Sequence, residues 1–198
     1  MGIMDMIRKA KFTANNLGHA ADSVKGAVKK ATLKHETISF DKLPETIDEF
    51  KALAADKMST PFGTAALTVV ALDVYPRDRE LCYAMLDVLK GPGRPLNPTE
   101  KQFINDRFMD GKDYVARSYF EGATPDNDYK PNVPYVVKVN ENPYSHENEG
   151  YTKLFIPSGG ADSEREVLLR EAKDGKFYLW EQFLLSDIRK PESTNPWK

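Results

Sequence analysis

The stretch 151–185 (YTKLFIPSGGADSEREVLLREAKDGKFYLWEQFLL) carries Asp174-Gly175 between two runs of apolar residues. That dipeptide in such a setting is the strongest short-range signal for a β-hairpin. Both central residues of a two-residue type I′ turn need positive φ, which Gly takes freely and Asp tolerates. Period-two spacing then puts Val167 and Leu169 on one face of the first strand. It puts Phe177, Leu179 and Phe183 on one face of the second, with Tyr178, Trp180 and Gln182 opposite. Large apolar groups on both faces predict a sheet covered on both sides, by helices on at least one. Runs at 135–139 (YVVKV) and Tyr151–Ile156 extend the hairpin into a small antiparallel sheet, which needs such a cover to be stable.

The first half has a different period. Residues 1–34 predict one long helix with a seam at Ile3, Ile7, Ala10, Ala14, Leu17, Ala21, Val24, Val28 and Ala31, steps of four and three held over four cycles. The seam is slim, and Gly18 and Gly26 each cost about 1 kcal/mol against Ala in a helix interior. Such a helix wants a partner surface. Up to Glu36 there are seven Lys and Arg against three acids, a net of +4, which leaves −6 for the rest of a chain whose total is −2. A basic amphipathic helix on an acidic body has three readings: it docks on that body, pairs with another chain, or meets an anionic membrane surface.

Between these regions the chain predicts helices with local start and stop signals. The segment 35–44 is a linker or, at Thr37-Ile38-Ser39-Phe40, an edge strand. Thr46 with Glu49 forms a capping box, and Thr60-Pro61 opens the next helix with Pro at its first position. The run 65–72 (AALTVVAL) is apolar all round and predicts a central buried helix, with a buried strand as the alternative that periodicity leaves open. Asp78 caps a helix that Gly91-Pro92 stops, and Asn97-Pro98-Thr99-Glu100 starts another. A short helical piece follows near 113–119. Helices first and strands last predict an α+β fold, a helical N-terminal half packed on a small antiparallel sheet from the C-terminal half. Residues 37–198 form a single α+β domain behind the basic helix of residues 1–36.

Phrases across the chain carry a family resemblance: PFGTAALTVVAL (61–72), LDVLKGPGRPLNPTEKQFINDRF (86–108), SYFEGATPDNDYKP (118–131), NPYSHENEGYTKLFIPSGGADSERE (142–166) and DGKFYLWEQFLLSDIRKP (174–191). Over about residues 37–191 the chain resembles a family of small, uncharacterised bacterial proteins, mainly Gram-positive, known as a domain of unknown function. The resemblance implies a cytoplasmic bacterial protein with one α+β domain. It brings no activity to transfer, and residues 1–34 are not part of it.

Composition narrows the function classes. The chain has 198 residues, is 40% hydrophobic and 29% charged, and has a pI near 6.0, which does not describe a nucleic-acid binder. No apolar run approaches the roughly 20 residues of a membrane span. The single cysteine, Cys82, fits a reducing compartment and reads as a buried inert thiol. His19, His35 and His146 lack the spacing of a local metal motif, so neither metal nor cofactor is expected.

Two surface candidates stand out. Ser158-Gly159-Gly160 could turn backbone N–H groups toward an anion, or serve only as a turn. Trp180, near Arg165, Arg170 and Arg189, could form a recognition surface, because Trp and Arg dominate interface hot spots. The plainer alternative is a Trp filling the sheet–helix core with Arg189 paired to an acid. No catalytic residue is assigned. The expected function is a non-catalytic cytoplasmic interaction module whose N-terminal helix (Ile3, Ile7, Leu17, Val24, Val28) mediates self-association or binding to a protein partner. The alternative is a small-molecule-binding or enzymatic domain with a pocket between helices and sheet, lined by Trp180, Tyr178 and nearby Arg. Peripheral membrane association through residues 1–34 is a third reading.

Overall fold

A computed structural model describes residues 33–197. The heptad seam from Ile3 to Ala31, with Ile3, Ile7, Leu17, Val24 and Val28, lies outside the described residues. The chain divides into two units between Lys34 and His35.

The second unit is α+β. A strand, β1 (His35–Phe40), comes first. Four helices follow, α1 (Ile47–Lys57), α2 (Pro61–Asp73), α3 (Arg79–Lys90) and α4 (Pro98–Phe108), with one further turn, α5 (Tyr114–Arg117). Then come β2 (Tyr135–Asn140), β3 (Tyr151–Ile156), β4 (Arg165–Glu171) and β5 (Phe177–Gln182). The five strands form one antiparallel sheet in chain order, β1 and β5 at its edges. The exposed run predicted as a linker or edge strand is a strand, and it begins at His35.

Each long helix starts where a short polar side chain can take an orphan N–H. Thr46 accepts from the Glu49 amide, Thr60 from Gly63, Asp78 from Leu81 and Asn97 from Glu100. At Asn97 the box is reciprocal. At Thr46 it is displaced, because the Glu49 carboxylate reaches the Glu45 amide at 2.7 Å.

The run 65–72 is helix α2, buried on every side from Phe62 to Asp73. It packs on α1, α3 and α5 and on all five strands, so it forms the centre of the domain. Its two threonines need no solvent: Thr68 donates to the Thr64 carbonyl and Thr64 to the Phe177 carbonyl. The sheet turns Val137, Val139, Leu154, Ile156, Val167, Leu169 and Leu179 to this helical layer, all buried. The opposite face carries half-buried residues such as Val136, Tyr151, Phe155 and Leu168 with the Lys153–Glu166 pair at 3.7 Å. Helices therefore cover one face of the described sheet.

The β4–β5 hairpin corrects two expectations. Gly175 sits at φ +77° while Asp174 is not in the left-handed region, so the turn is not type I′. The Gly175 amide donates to the Ala172 carbonyl and the Ala172 amide to the Lys176 carbonyl, a longer loop with only its last residue left-handed. Asp174 is held instead by its side chain, which accepts from the Lys176 amide and the Tyr178 hydroxyl. The strict alternation fails as well. The register shifts between Leu168 and Leu169: Leu169 faces Leu179, Leu168 faces Glu181, and Trp180 is the extra residue of a bulge. After it Gln182 pairs with inward-facing Val167, and Phe183 is not in the core.

Candidate functional site

The bulge places Trp180 at the sheet edge, half-buried beside the loop that links α3 to α4. That loop is fixed at both ends. The Leu96 amide donates to the Asp87 carboxylate at 2.7 Å, and Asn97 and Glu100 close their capping box at 2.9 and 3.0 Å. Arg94, within it, lays its guanidinium over the Trp180 ring at 4.0 Å and donates to the Trp180 carbonyl at 2.5 Å. Arg170 sits over the same ring at 5.1 Å, and Tyr151 meets it edge-on with centroids 5.4 Å apart.

Below Arg94 lies an ion pair. Lys90, its side chain only 3% exposed, meets Glu100 at 2.7 Å, and Arg94 approaches the same carboxylate oxygen at 3.9 Å. Burial alone would raise the Glu100 carboxyl. The Lys90 ammonium and the Asn97 amide, both donating to it, together with the charges of Lys90 and Arg94, outweigh that and hold it below the usual carboxylate range. One side chain thus caps α4, neutralises a buried lysine and anchors the arginine stacked on Trp180.

Lys90, Arg94, Glu100 and Trp180 line a groove of about 360 Å³ between α4 and β5. Its apolar wall includes Leu86, Leu96, Ile104 and Leu179, and its rim presents Phe103 at 43% and Phe183 at 48% exposure. Arg107 stacks over Phe103 at 4.9 Å. Neither Arg107 nor Arg170 has a carboxylate within ion-pair distance among the described residues. The groove is therefore an apolar slot whose charged lining is Lys90, Arg94, Glu100 and Glu181, with Arg107 and Arg170 outside it on the rings of Phe103 and Trp180.

The other sequence candidates lie elsewhere. Arg165 donates to the Ser186 and Asp187 carbonyls and to Ser163, and Arg189 pairs with Asp162 at 2.7 Å. Both arginines fasten the segment after β5 to the β3–β4 loop; neither lines the Trp180 groove. Arg189 is thus paired to an acid, but Trp180 is no core filler. In the loop Ser158-Gly159-Gly160, the Gly159 amide donates to the Ser118 carbonyl and the Gly160 amide to the Ser158 hydroxyl. The N–H groups an anion would need are committed inside the protein. A Cβ at Gly159 would fall on the Ala123 carbonyl oxygen, and one at Gly160 on the Tyr129 hydroxyl. These glycines serve a close backbone approach.

Tyr178, expected in one pocket with Trp180, lines a separate cavity of about 460 Å³ with Lys51, Met58 and Val88. Cys82 is buried in α3, and burial pushes its thiol well up, away from the reactive thiolate. Among the described residues no group of three His, Cys, Asp or Glu is placed to hold a metal ion. His35 faces Asn140 and His146 faces Glu141, each at 2.9 Å. Sequence reasoning missed Arg94, Lys90 and Glu100 as site residues. Their signal was the Gly91-Pro92-Gly93-Arg94 loop before a strong capping box, which points to a rigid corner but not to what that corner touches.

Among the described residues no helix is long and apolar enough to cross a membrane. No curated protein and no solved structure matches the chain. Residues 42–192, which hold the helical layer, strands β2 to β5 and the groove but not β1, match the family described as "Domain of unknown function (DUF6935)", and the chain belongs to that family.

Proposed function

We propose that this chain is a non-catalytic interaction module of the bacterial cytoplasm that holds an apolar, acidic segment of a protein partner in the α4–β5 groove. The observation that carries this reading is the pairing of two exposed phenylalanines, Phe103 and Phe183, with a Trp180 ring stacked by arginines. Trp and Arg in a partly dry, preformed slot are the side chains that concentrate binding energy at interfaces. Arg107 and Arg170, stacked on Phe103 and Trp180 just outside the groove lining, favour carboxylates on the partner. Within the lining Lys90 and Glu100 are committed to each other.

Residues 1–34 are the second association element of the proposal, on the strength of their heptad seam and +5 charge, seven Lys and Arg against Asp5 and Asp22. A small apolar anion is the second reading for the groove, favoured by its volume, which falls within the range of ligand sites. The bacterial cytoplasmic setting rests on the resemblance described above and on a lone, buried thiol.

The test is an array of short peptides alternating Leu or Phe with Glu or Asp, set beside the same peptides with Lys. Binding is followed by Trp180 fluorescence in a Trp197→Phe background. Binding of the acidic set that falls about tenfold or more with Phe103→Ala or Arg170→Ala supports the reading. Binding that ignores both substitutions, or follows the basic set, contradicts it. For the helix, Leu17→Asp in the full chain lowers partner affinity if the seam associates and leaves it unchanged if it does not.

A further inference from the structure

The two edges of the sheet are not finished alike. On β5 the Phe177 amide donates to the Met58 carbonyl at 2.9 Å, its carbonyl accepts from Thr64, and Arg94 takes the Trp180 carbonyl. On β1 no outward hydrogen bond is present among the described residues. The side chains His35, Glu36, Thr37 and Ser39 are exposed, and the strand keeps an unbroken six-residue register with β2. It carries no proline, no lysine and no bulge, and of the devices that blunt an edge it has only the charge of Glu36, which shares a face with Ile38.

Which groups point outward follows from the next strand. The Val136 carbonyl accepts from the Glu121 amide, and Phe120 bridges Val137 on that side, away from β1. Backbone groups alternate sides along a strand. Val137 and Val139 therefore turn theirs to Ile38 and Glu36, their register partners on β1. The N–H and C=O groups of His35, Thr37 and Ser39 are left facing outward.

We propose that β1 pairs antiparallel with β1 of a second copy of this chain, about a two-fold axis through Thr37, to give one continuous sheet. A two-fold axis normal to the sheet keeps the helical layers of both copies on the same side, so residues opposite each other must share a face. That permits Thr37 against Thr37 or Ile38 against Ile38. The first aligns all the outward-facing residues as bonded pairs, His35 with Ser39 of the second copy and Thr37 with Thr37 of the second copy. Centring on Ile38 leaves His35 without an opposite strand residue. The Thr37 register also sets Glu36 against Ile38, so no like charges meet, and threonine against threonine is a favourable cross-strand pair. A second copy is thus the occupant that the strand's own sequence suits.

The test is sedimentation of the full chain across the micromolar range, wild type beside Thr37→Lys and Thr37→Glu. Thr37 is exposed, so neither substitution disturbs the core. The pairing predicts a wild-type dimer of the 22.4 kDa chain. Either variant alone weakens it by at least about tenfold, because like charges meet on the axis, and an equimolar mixture of the two restores it. A wild type monomeric throughout overturns the pairing, as does a mixture that stays monomeric. A dimer untouched by Thr37→Lys also overturns it and assigns association to another surface, which leaves the groove and helix reading standing.

Discussion

At one border of the sheet, β5 is held by helices: Met58 at the end of α1 and Thr64 in α2 take the outward groups of Phe177, and Arg94 after α3 takes the Trp180 carbonyl. At the other border, β1 makes one ladder, to β2, and ends there among the described residues. Both strands are short and both are at an edge, so strand propensity does not separate them. What separates them is the central helix α2, which crosses the sheet with its N-terminal turn at β5. The sealed border hosts the rigid Trp180 groove. The open one keeps a row of backbone groups that costs little in water and would be satisfied by another strand. The sealed edge presents side chains; the open edge presents backbone.

Substitutions at the sealed border should lower stability, and those at the open border should not. Glu100→Gln is expected to cost most, about 2–4 kcal/mol, because it leaves the buried Lys90 ammonium without its partner. Chemical denaturation reads this loss, and pH sharpens it. The Glu100 pKa is lower in the folded chain than in the unfolded one. Its contribution is therefore fully present above the unfolded value and is lost as pH falls through the folded value. The gap between wild type and Glu100→Gln should close in acid; a gap independent of pH would contradict the ion pair.

Thr64→Val comes next, at about 1–3 kcal/mol, since it orphans the Phe177 carbonyl at a dry seam. Thermal unfolding measures it, with Thr64→Ser expected to recover most of the loss. Arg94→Ala should cost about 1 kcal/mol, the Trp180 carbonyl bond and the stacking together. It should also shift Trp180 emission to the red as the ring gains water. Thr37→Lys is the smallest effect, within about 0.5 kcal/mol on monomer stability, whatever it does to association.

What could be read in the sequence was what is decided locally. Thr46, Thr60, Asp78 and Asn97 act on amides three residues away, so their spacing alone locates the helices. The all-apolar 65–72 run reads as a central buried helix and is one, although its periodicity alone leaves a buried strand as the alternative. The α+β order followed from helices preceding strands. The groove was not legible, because Arg94 meets Trp180 across 86 positions of chain and nothing local marks that contact. Of the arginines expected beside Trp180, Arg170 does lie over the ring, where Arg94 joins it, while Arg165 and Arg189 hold loops. Period-two counting failed at Trp180 because a bulge changes which face follows it, and a bulge leaves no signature in this composition. Asp174-Gly175 misled on turn type for a related reason. The Asp174 side chain found two local donors that stabilise it outside the left-handed region.

The contrast between the two edges is tested most directly by amide hydrogen exchange of the full chain at low protein concentration, resolved at Phe177 and Thr37. The account predicts that the Phe177 amide, donating to Met58, exchanges only through large-scale unfolding, while the outward Thr37 amide exchanges nearly as fast as an unstructured one. A Thr37 amide as protected as that of Phe177 in the dilute monomer would contradict it.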